Sequence, residues 1–363
     1  MVLATALCSA AASAQQRRIT FPDVEGYLTL KCDFHQHTVF SDGSVWPDIR
    51  VEEAQKDGLD AISLTEHLEY QPHREDVPHE DRNRSYELAK ELAEGTDLLI
   101  VHGSEITRDM PPGHSNAIFI RDANRILQDD AMAAFREAKA QGAFIFWNHP
   151  DWLGQVPDGI ARLSDMHRQL IAENLLHGIE VVNEHTISEE ALSIALDHGL
   201  TLMGTSDIHG LVDWEFEVPG GGHRPITLVL ARERSIEGLR EALFAKRTVV
   251  WFENQLVSLP EWMDLLLSAS VVVRAAHPAE DSTVLQVELE NRSDARYLLR
   301  NLGGVTFLRS TDMVSLEPRG VTTLLVKGTS GRDSIELEFE VLNALVAPRK
   351  HPELRLLARI DWN

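Results

Sequence analysis

Between about residues 28 and 250, short apolar runs alternate with amphipathic segments, and this alternation restricts the fold more than any other feature of the chain. The runs 28–34, 59–64, 98–101, 117–120, 143–147, 179–182, 200–204 and 226–230 read as strands. Segments 48–56, 85–93, 131–140, 188–197 and 235–245 carry apolar residues three and four apart, the spacing of a helix with one buried face. Gly58, Gly95, Gly142 and Gly199 follow four of these helices and suit the left-handed backbone that ends them. Such alternation predicts an α/β fold around a parallel sheet, either open or closed into a barrel.

The pattern changes after about Pro260. Residues 261–270 read as a short connecting helix. Alternating strands follow at 283–290, 321–327 and 334–342, separated by turn clusters such as Gly328-Thr329-Ser330-Gly331. That is the pattern of a small all-β, sandwich-like domain. The expected organisation is therefore residues 19–256, a linker helix over 257–270, and a β-domain over 271–363.

Residues 1–14 are small and apolar, end in Ala12-Ser13-Ala14, and lack a basic leader. They resemble a secretory signal peptide, which implies a periplasmic or secreted protein. No later run reaches the ~18 apolar residues needed to span a bilayer. With Cys8 removed, Cys32 would stand alone, so neither an internal disulfide nor a thiolate cluster is expected. The formal charge of −23 argues against nucleic-acid backbones and anionic membranes as partners. An anionic substrate would need local positive charge, and bound metal ions are one source.

The first expected strand leads into Asp33-Phe34-His35-Gln36-His37-Thr38 and then Ser41-Asp42-Gly43. Residues two apart in extended chain face the same way, so His35 and His37 project together. Sixteen His in this length give about 0.7 such pairs by chance, so the pair alone decides nothing. The other strand ends decide. Thr65-Glu66-His67, Gly103-Ser104-Glu105, Asn148-His149-Pro150 and Ser206-Asp207-Ile208-His209 each follow an expected strand, and His114 precedes one. In a parallel α/β barrel these ends share one face. Imidazoles and carboxylates gathered there suit a divalent metal. Only His277 and His351 of the sixteen His lie in the β-domain, which places the chemistry in the first domain.

These motifs, in this order over residues 33–209, resemble the polymerase and histidinol phosphatase (PHP) superfamily. The resemblance implies a distorted (β/α)7 barrel holding two to three divalent ions, with Zn, Mn and Fe all suited to nitrogen and oxygen donors. It implies His35, His37, Glu105 and Asp207 on one ion. A second would share Glu105 and take His114 and His149, and a third would take Asp42, His67 and His209. Glu66 stands where many members carry Asp. The segment from His223 to Thr248 and the all-β tail resemble exported, two-domain members.

The implied reaction is hydrolysis of a phosphoester, a small phosphomonoester above all, by a hydroxide bridging the metals. Asp207 and His209 are the catalytic candidates, with Asp207 placed to orient or deprotonate the nucleophile. His73 and Arg74, in the loop after His67, and Arg224, after a Gly run, are candidates to bind phosphate oxygens. Hydrolysis of an amide or lactone, or a non-catalytic binding role, is the alternative. The substrate, the metals and the oligomeric state are not written in the sequence.

Overall fold

The computed structural model describes residues 18–77, 79–279, 282–328 and 331–362. The expected signal segment, residues 1–14, lies outside the described residues. The chain opens with β1 (Leu28–Asp33), α1 (Pro47–Asp57), β2 (Ala61–Ile62), α2 (Arg84–Leu92), β3 (Leu99–Ile100), β4 (Gly103–Ile106) and β5 (Ser115–Ile118). It continues through α3 (Ala131–Gln141), β6 (Phe144–Trp147), α4 (Asp165–Ala172), β7 (Gly178–Asn183), β8 (Thr186–Ile187), α5 (Glu189–His198) and β9 (Thr201–Thr205). After α6 (Val212–Glu215) come β10 (Ile226–Ala231), α7 (Ile236–Phe244), β11 (Thr248–Phe252), β12 (Gln255–Ser258) and α8 (Pro260–Ser270). Helices α1, α3 and α5 end where foreseen, at Gly58, Gly142 and Gly199 with φ of 70°, 89° and 66°.

These strands form two mixed sheets rather than one parallel sheet. One runs β12-β11-β10-β1-β2-β3 and the other β4-β5-β6-β7-β8, with β9 also paired to β7. β10 is antiparallel to β1, and β5 is antiparallel to both β4 and β6. Apolar periodicity reveals burial but not strand direction, so this reversal was not legible. Its consequence is direct: a residue that precedes β5 lies at the same edge as residues that follow β4 and β6.

No sheet closes on itself. The sheets meet through isolated parallel bridges between Gln36 and Ile208 and between His67 and Glu105, both at strand ends that carry candidate ligands. Further back, β9 lies against β10 and β11. The Thr227 hydroxyl donates to the Gly204 carbonyl (2.8 Å) and accepts from its N–H (2.9 Å), replacing ladder bonds. A Cβ at Gly204 would fall 2.2 Å from Val250 Cγ1, so only glycine permits this approach.

The tail consists of β13 (Val271–Pro278), β14 (Leu285–Asn291), β15 (Tyr297–Asn301), β16 (Thr306–Phe307), β17 (Met313–Leu316), β18 (Val321–Lys327), β19 (Ser334–Val341), β20 (Ala344–Leu345) and β21 (Glu353–Arg359). Two four-stranded sheets, β13-β14-β18-β16 and β17-β15-β19-β21, face each other. Strand β21 alternates exposed and buried residues throughout, the mark of a sheet with one wet face.

The tail is joined to the α/β part by more than a linker. β20 pairs in parallel with β12 and extends its sheet. Phe21, Leu256, Met263, Leu337 and Phe339 belong to one continuous apolar core. Buried Asn343 fastens the joint. Its Nδ2 donates to the carbonyls of Asn254 (2.6 Å) and Arg296 (2.8 Å), and its Oδ1 accepts from the Leu298 N–H (2.8 Å). Asn343→Ala would leave these groups unpaired, and equilibrium urea unfolding should show a loss of about 2 kcal/mol. A change near zero would contradict this account of the joint.

Candidate metal centre

Most candidate ligands follow a strand end, while Glu105 lies within β4, His114 just precedes β5 and Asp42 sits in the loop between β1 and α1. β1 stops at Asp33, and the extended chain beyond it turns His35 and His37 the same way, with Nε2 atoms 3.1 Å apart. The bridge strands that follow hold this segment by backbone bonds, from His37 N to Ile208 O (3.0 Å) and from Thr65 N to Gln36 O (2.9 Å). Arg50, from α1 and fully buried, clamps the same place. Its Nε donates to the His37 carbonyl (3.0 Å) and its Nη2 to the Ile208 carbonyl (3.1 Å).

Glu105, at 0% exposure in β4, is the hub. Its carboxylate lies 2.9 Å from His35 Nε2, 3.4 Å from His37 Nε2, 3.2 Å from His67 Nδ1 and 2.6 Å from His114 Nδ1. Asp207 Oδ1 lies 3.0 Å from both His35 Nε2 and His37 Nε2. Asp42 approaches His209 Nε2 (3.1 Å) and His67 Nε2 (3.4 Å). His149 Nε2 stands 3.8 Å from Asp207 Oδ2, and its ring is 5.0 Å from that of His114. All the ligands expected from the sequence are thus gathered at one site. Their donor atoms fall into convergent groups: His37, Asp42, His67 and His209; His35, His37 and Glu105; and His67, Glu105 and His114.

The donor set fits metal ions on a test internal to the structure. Asp42 Oδ1, Glu105 Oε1, His114 Nδ1 and Asp207 Oδ1 are buried and have no partner in hydrogen-bond geometry. Buried polar atoms left so are costly, and several converging on one space are the signature of ligands. Backbone geometry agrees. His149 and Asp207 both have positive φ, 26° and 49°, a conformation costing about 1–3 kcal/mol that persists where the surroundings impose it.

The electrostatics of the ion-free site follow from crowding. Burial alone would lower His67, but the Glu105 and Asp42 carboxylates reverse this and raise it to about 11. Burial likewise opposes, and Asp42 and Asp207 outweigh it, at His209, which rises to about 9. Glu105 and Asp207 sit well below the carboxylate range, because the surrounding imidazoles overcome their desolvation.

Several supporting residues, Glu66 excepted, carried no signal in the sequence. Glu180 in β7 accepts from His35 Nδ1 (2.8 Å), from the His149 N–H (2.7 Å) and from Asn183 Nδ2 (2.8 Å). A carboxylate on the far nitrogen of a ligand histidine fixes its ring and tautomer. Thr107 does the like for His67 at 2.7 Å. Glu66 binds the Thr38 N–H (3.1 Å) and the Thr38 and Ser41 hydroxyls, so it shapes the loop beneath Asp42. Cys32 is buried in β1 and belongs to the core.

The phosphate-binding candidates fare differently. Arg224 is a correction: it is 1% exposed, and its guanidinium is held by Asp57 (2.9 Å) and Asp33 (3.3 Å). It ties β10 to β1 and faces no substrate. A Gly run before an arginine looks the same whether that arginine points out or in. His73 and Arg74 lie in the turn after Tyr70, half-buried and exposed. Among the described residues, no ion pair links either side chain to the ligand cluster.

Comparison with known proteins places this arrangement in a family. A two-domain protein of Bacteroides vulgatus, described as containing a predicted PHP-like metal-dependent phosphoesterase, is 42% identical, with a TM-score of 0.87 over 94% of this chain and 98% of that one. The chain belongs to the PHP-like metal-dependent phosphoesterases. An inferred metal-dependent phosphoesterase of Bifidobacterium adolescentis shares 18% identity, with a TM-score of 0.42 over 60% of this chain and 96% of that one, too distant to bear on the site. Residues 271–357 match the family DUF5001, described as an Ig-like domain, in accord with the facing sheets of the tail. A search of curated proteins gave no match. This phosphoesterase is a hydrolase of two-domain, mixed α/β architecture.

Because His67 and His209 are protonated in the ion-free site at neutral pH, a metal must displace protons to reach their nitrogens. Apparent metal affinity should therefore rise as pH increases from 7 toward 9. Calorimetric titration with Mn²⁺ in buffers of different ionisation enthalpy should report net proton release. Heats independent of the buffer would contradict this.

Proposed function

We propose that this phosphoesterase cleaves a small phosphomonoester at a site of two to three divalent ions, with Zn, Mn and Fe all suited to its donors. The observation that carries the reading is the buried Glu105 carboxylate within 3.4 Å of four imidazoles, two of which also meet Asp207. His35, His37, Glu105 and Asp207 would hold one ion. Glu105 would also serve a second with His114 and His149, and Asp42, His67 and His209 would hold the third. The convergent donor groups support the third ion's set, with His37 beside it, and the His35, His37 and Glu105 set; Glu105 and His114 converge with His67, while Asp207 and His149 join through their contacts with His35, His37 and each other. The ions would supply an acidic water near neutral pH and offset charge on the phosphoryl oxygens.

The chain's own residues do the rest. Asp207 is the residue best placed to orient or take the proton of the attacking water. Its Oδ2 faces His149 and is braced at 3.4 Å by Asn183 Nδ2, while Oδ1 faces His35 and His37. His209, with a side chain 34% exposed, is the most open of the ligands and reaches the solvent side, where a leaving alcohol can receive a proton. The depth of Glu105 keeps bulk water from the hub. His73 and Arg74 stay candidates for capturing substrate from the rim.

We read the seven strands β1, β2, β4, β5, β6, β7 and β9 as a distorted (β/α)7 barrel, supported by the two isolated bridges that link the sheets at the ligand-bearing edge. Export to the periplasm or medium is part of the proposal, and fractionation of cells expressing the full chain tests it.

Metal-replete protein should release phosphate from p-nitrophenyl phosphate, lose this activity to a chelator, and regain it with Mn²⁺ or Zn²⁺. Asp207→Asn should lower kcat by about 100-fold or more. Failure to turn over any phosphomonoester or diester, with activity on an amide or lactone instead, would sink the reading.

A further inference from the structure

Trp152 stands in the loop between β6 and α4, directly after the ligand segment that ends in His149. Its ring centroid lies 5.3 Å from that of His149 and 5.6 Å from that of His114. Yet the residue is 48% exposed, where an indole of its size gains most by burial. Local structure holds it there. The Trp152 backbone N–H donates to the His149 carbonyl (3.0 Å), and its backbone carbonyl accepts from Gln155 N (3.0 Å) and Val156 N (2.8 Å). Gly154 lies flush against the ring: a Cβ there would fall 2.5 Å from Trp152 Cζ2.

The indole is thus anchored through the ligand loop, wedged by a residue without a side chain, and left open beside two candidate ligands. We infer that Trp152 is the platform on which the alcohol part of the substrate rests, and that this subsite selects phosphoesters of planar, aromatic alcohols over those of short aliphatic ones. The inference rests on the phosphoesterase reading for the position of the phosphoryl group, which the ions would hold next to His114 and His149. An aryl group attached to that phosphorus meets the indole, and offset stacking favours it. A methyl or glyceryl group has no flat face to present.

The test uses phenylphosphonate and methylphosphonate, which share a phosphoryl head and are not hydrolysed, bound to the metal-loaded full chain and followed by calorimetry. Wild-type protein should bind phenylphosphonate about fivefold more tightly or better, as a stacked ring pair would give. Trp152→Ala should remove this preference while methylphosphonate affinity and metal content stay within about twofold. Trp152→Phe, which keeps a ring and the packing on Gly154, should retain part of it and serves if the alanine variant is unstable. Equal wild-type affinities, equal weakening of both ligands by Trp152→Ala, or binding of neither would overturn the subsite. A protein that turns over no phosphoester but keeps the phenyl preference would instead refute the phosphoesterase reading and leave the subsite standing.

Discussion

The Glu105 carboxylate is the group on which the rest of the site depends. It is wholly buried, and four imidazoles approach it from two strand ends and a loop. With no ion between them, these groups can only trade protons, and several of their lone pairs have no acceptable partner. Desolvating so many charged or dipolar groups costs several kcal/mol per ion pair that is imperfectly met. Divalent cations reverse the balance, because each lone pair then has an acceptor. The fold is accordingly one that gathers excess donors into a small dry space.

Gathering them requires backbone that the side chains alone would not choose. Asp207 and His149 are held at positive φ, and both are fixed from outside the cluster. Asp207 follows Ser206, whose hydroxyl binds Asp33 (2.6 Å), and Asp33 is in turn gripped by Arg224. His149 is fixed through its N–H to Glu180. Arg50 spans the junction where the first and last ligand segments meet. The Ig-like tail braces the opposite end of the same sheet, through β20 and the core it shares with β12. Rigidity at the candidate centre thus derives from buried ion pairs and from a sheet that extends into the second domain.

What could be read from the sequence was the set of candidate ligands and the layer type. His, Asp and Glu at strand ends are informative because periodicity marks where strands stop, and all of the expected ligands proved to be neighbours. Helix ends at Gly58, Gly142 and Gly199 were legible for a similar local reason. Strand direction was not, since an apolar run is the same whichever way it points. His114 precedes its strand, and it is the antiparallel run of β5 that brings it to the edge where the other candidates lie. β4 was hidden because Gly103-Ser104-Glu105-Ile106 has no strand-like composition, only neighbours that pair with it. Arg224 misled because accessibility is a tertiary property. Glu180 was invisible because a lone acid inside an apolar strand shows its role only once His35 lies beside it.

The central claim is that these side chains form one multinuclear metal centre with Glu105 as its shared ligand. Anomalous diffraction from crystals of the full chain grown with Mn²⁺ tests it most directly. Peaks should appear among His37, Asp42, His67 and His209 and on at least one side of Glu105, each within about 2.0–2.3 Å of its nitrogen and oxygen donors. A fully ordered cluster that shows no anomalous peak at millimolar Mn²⁺ and none with Zn²⁺ or Fe²⁺ would contradict the account.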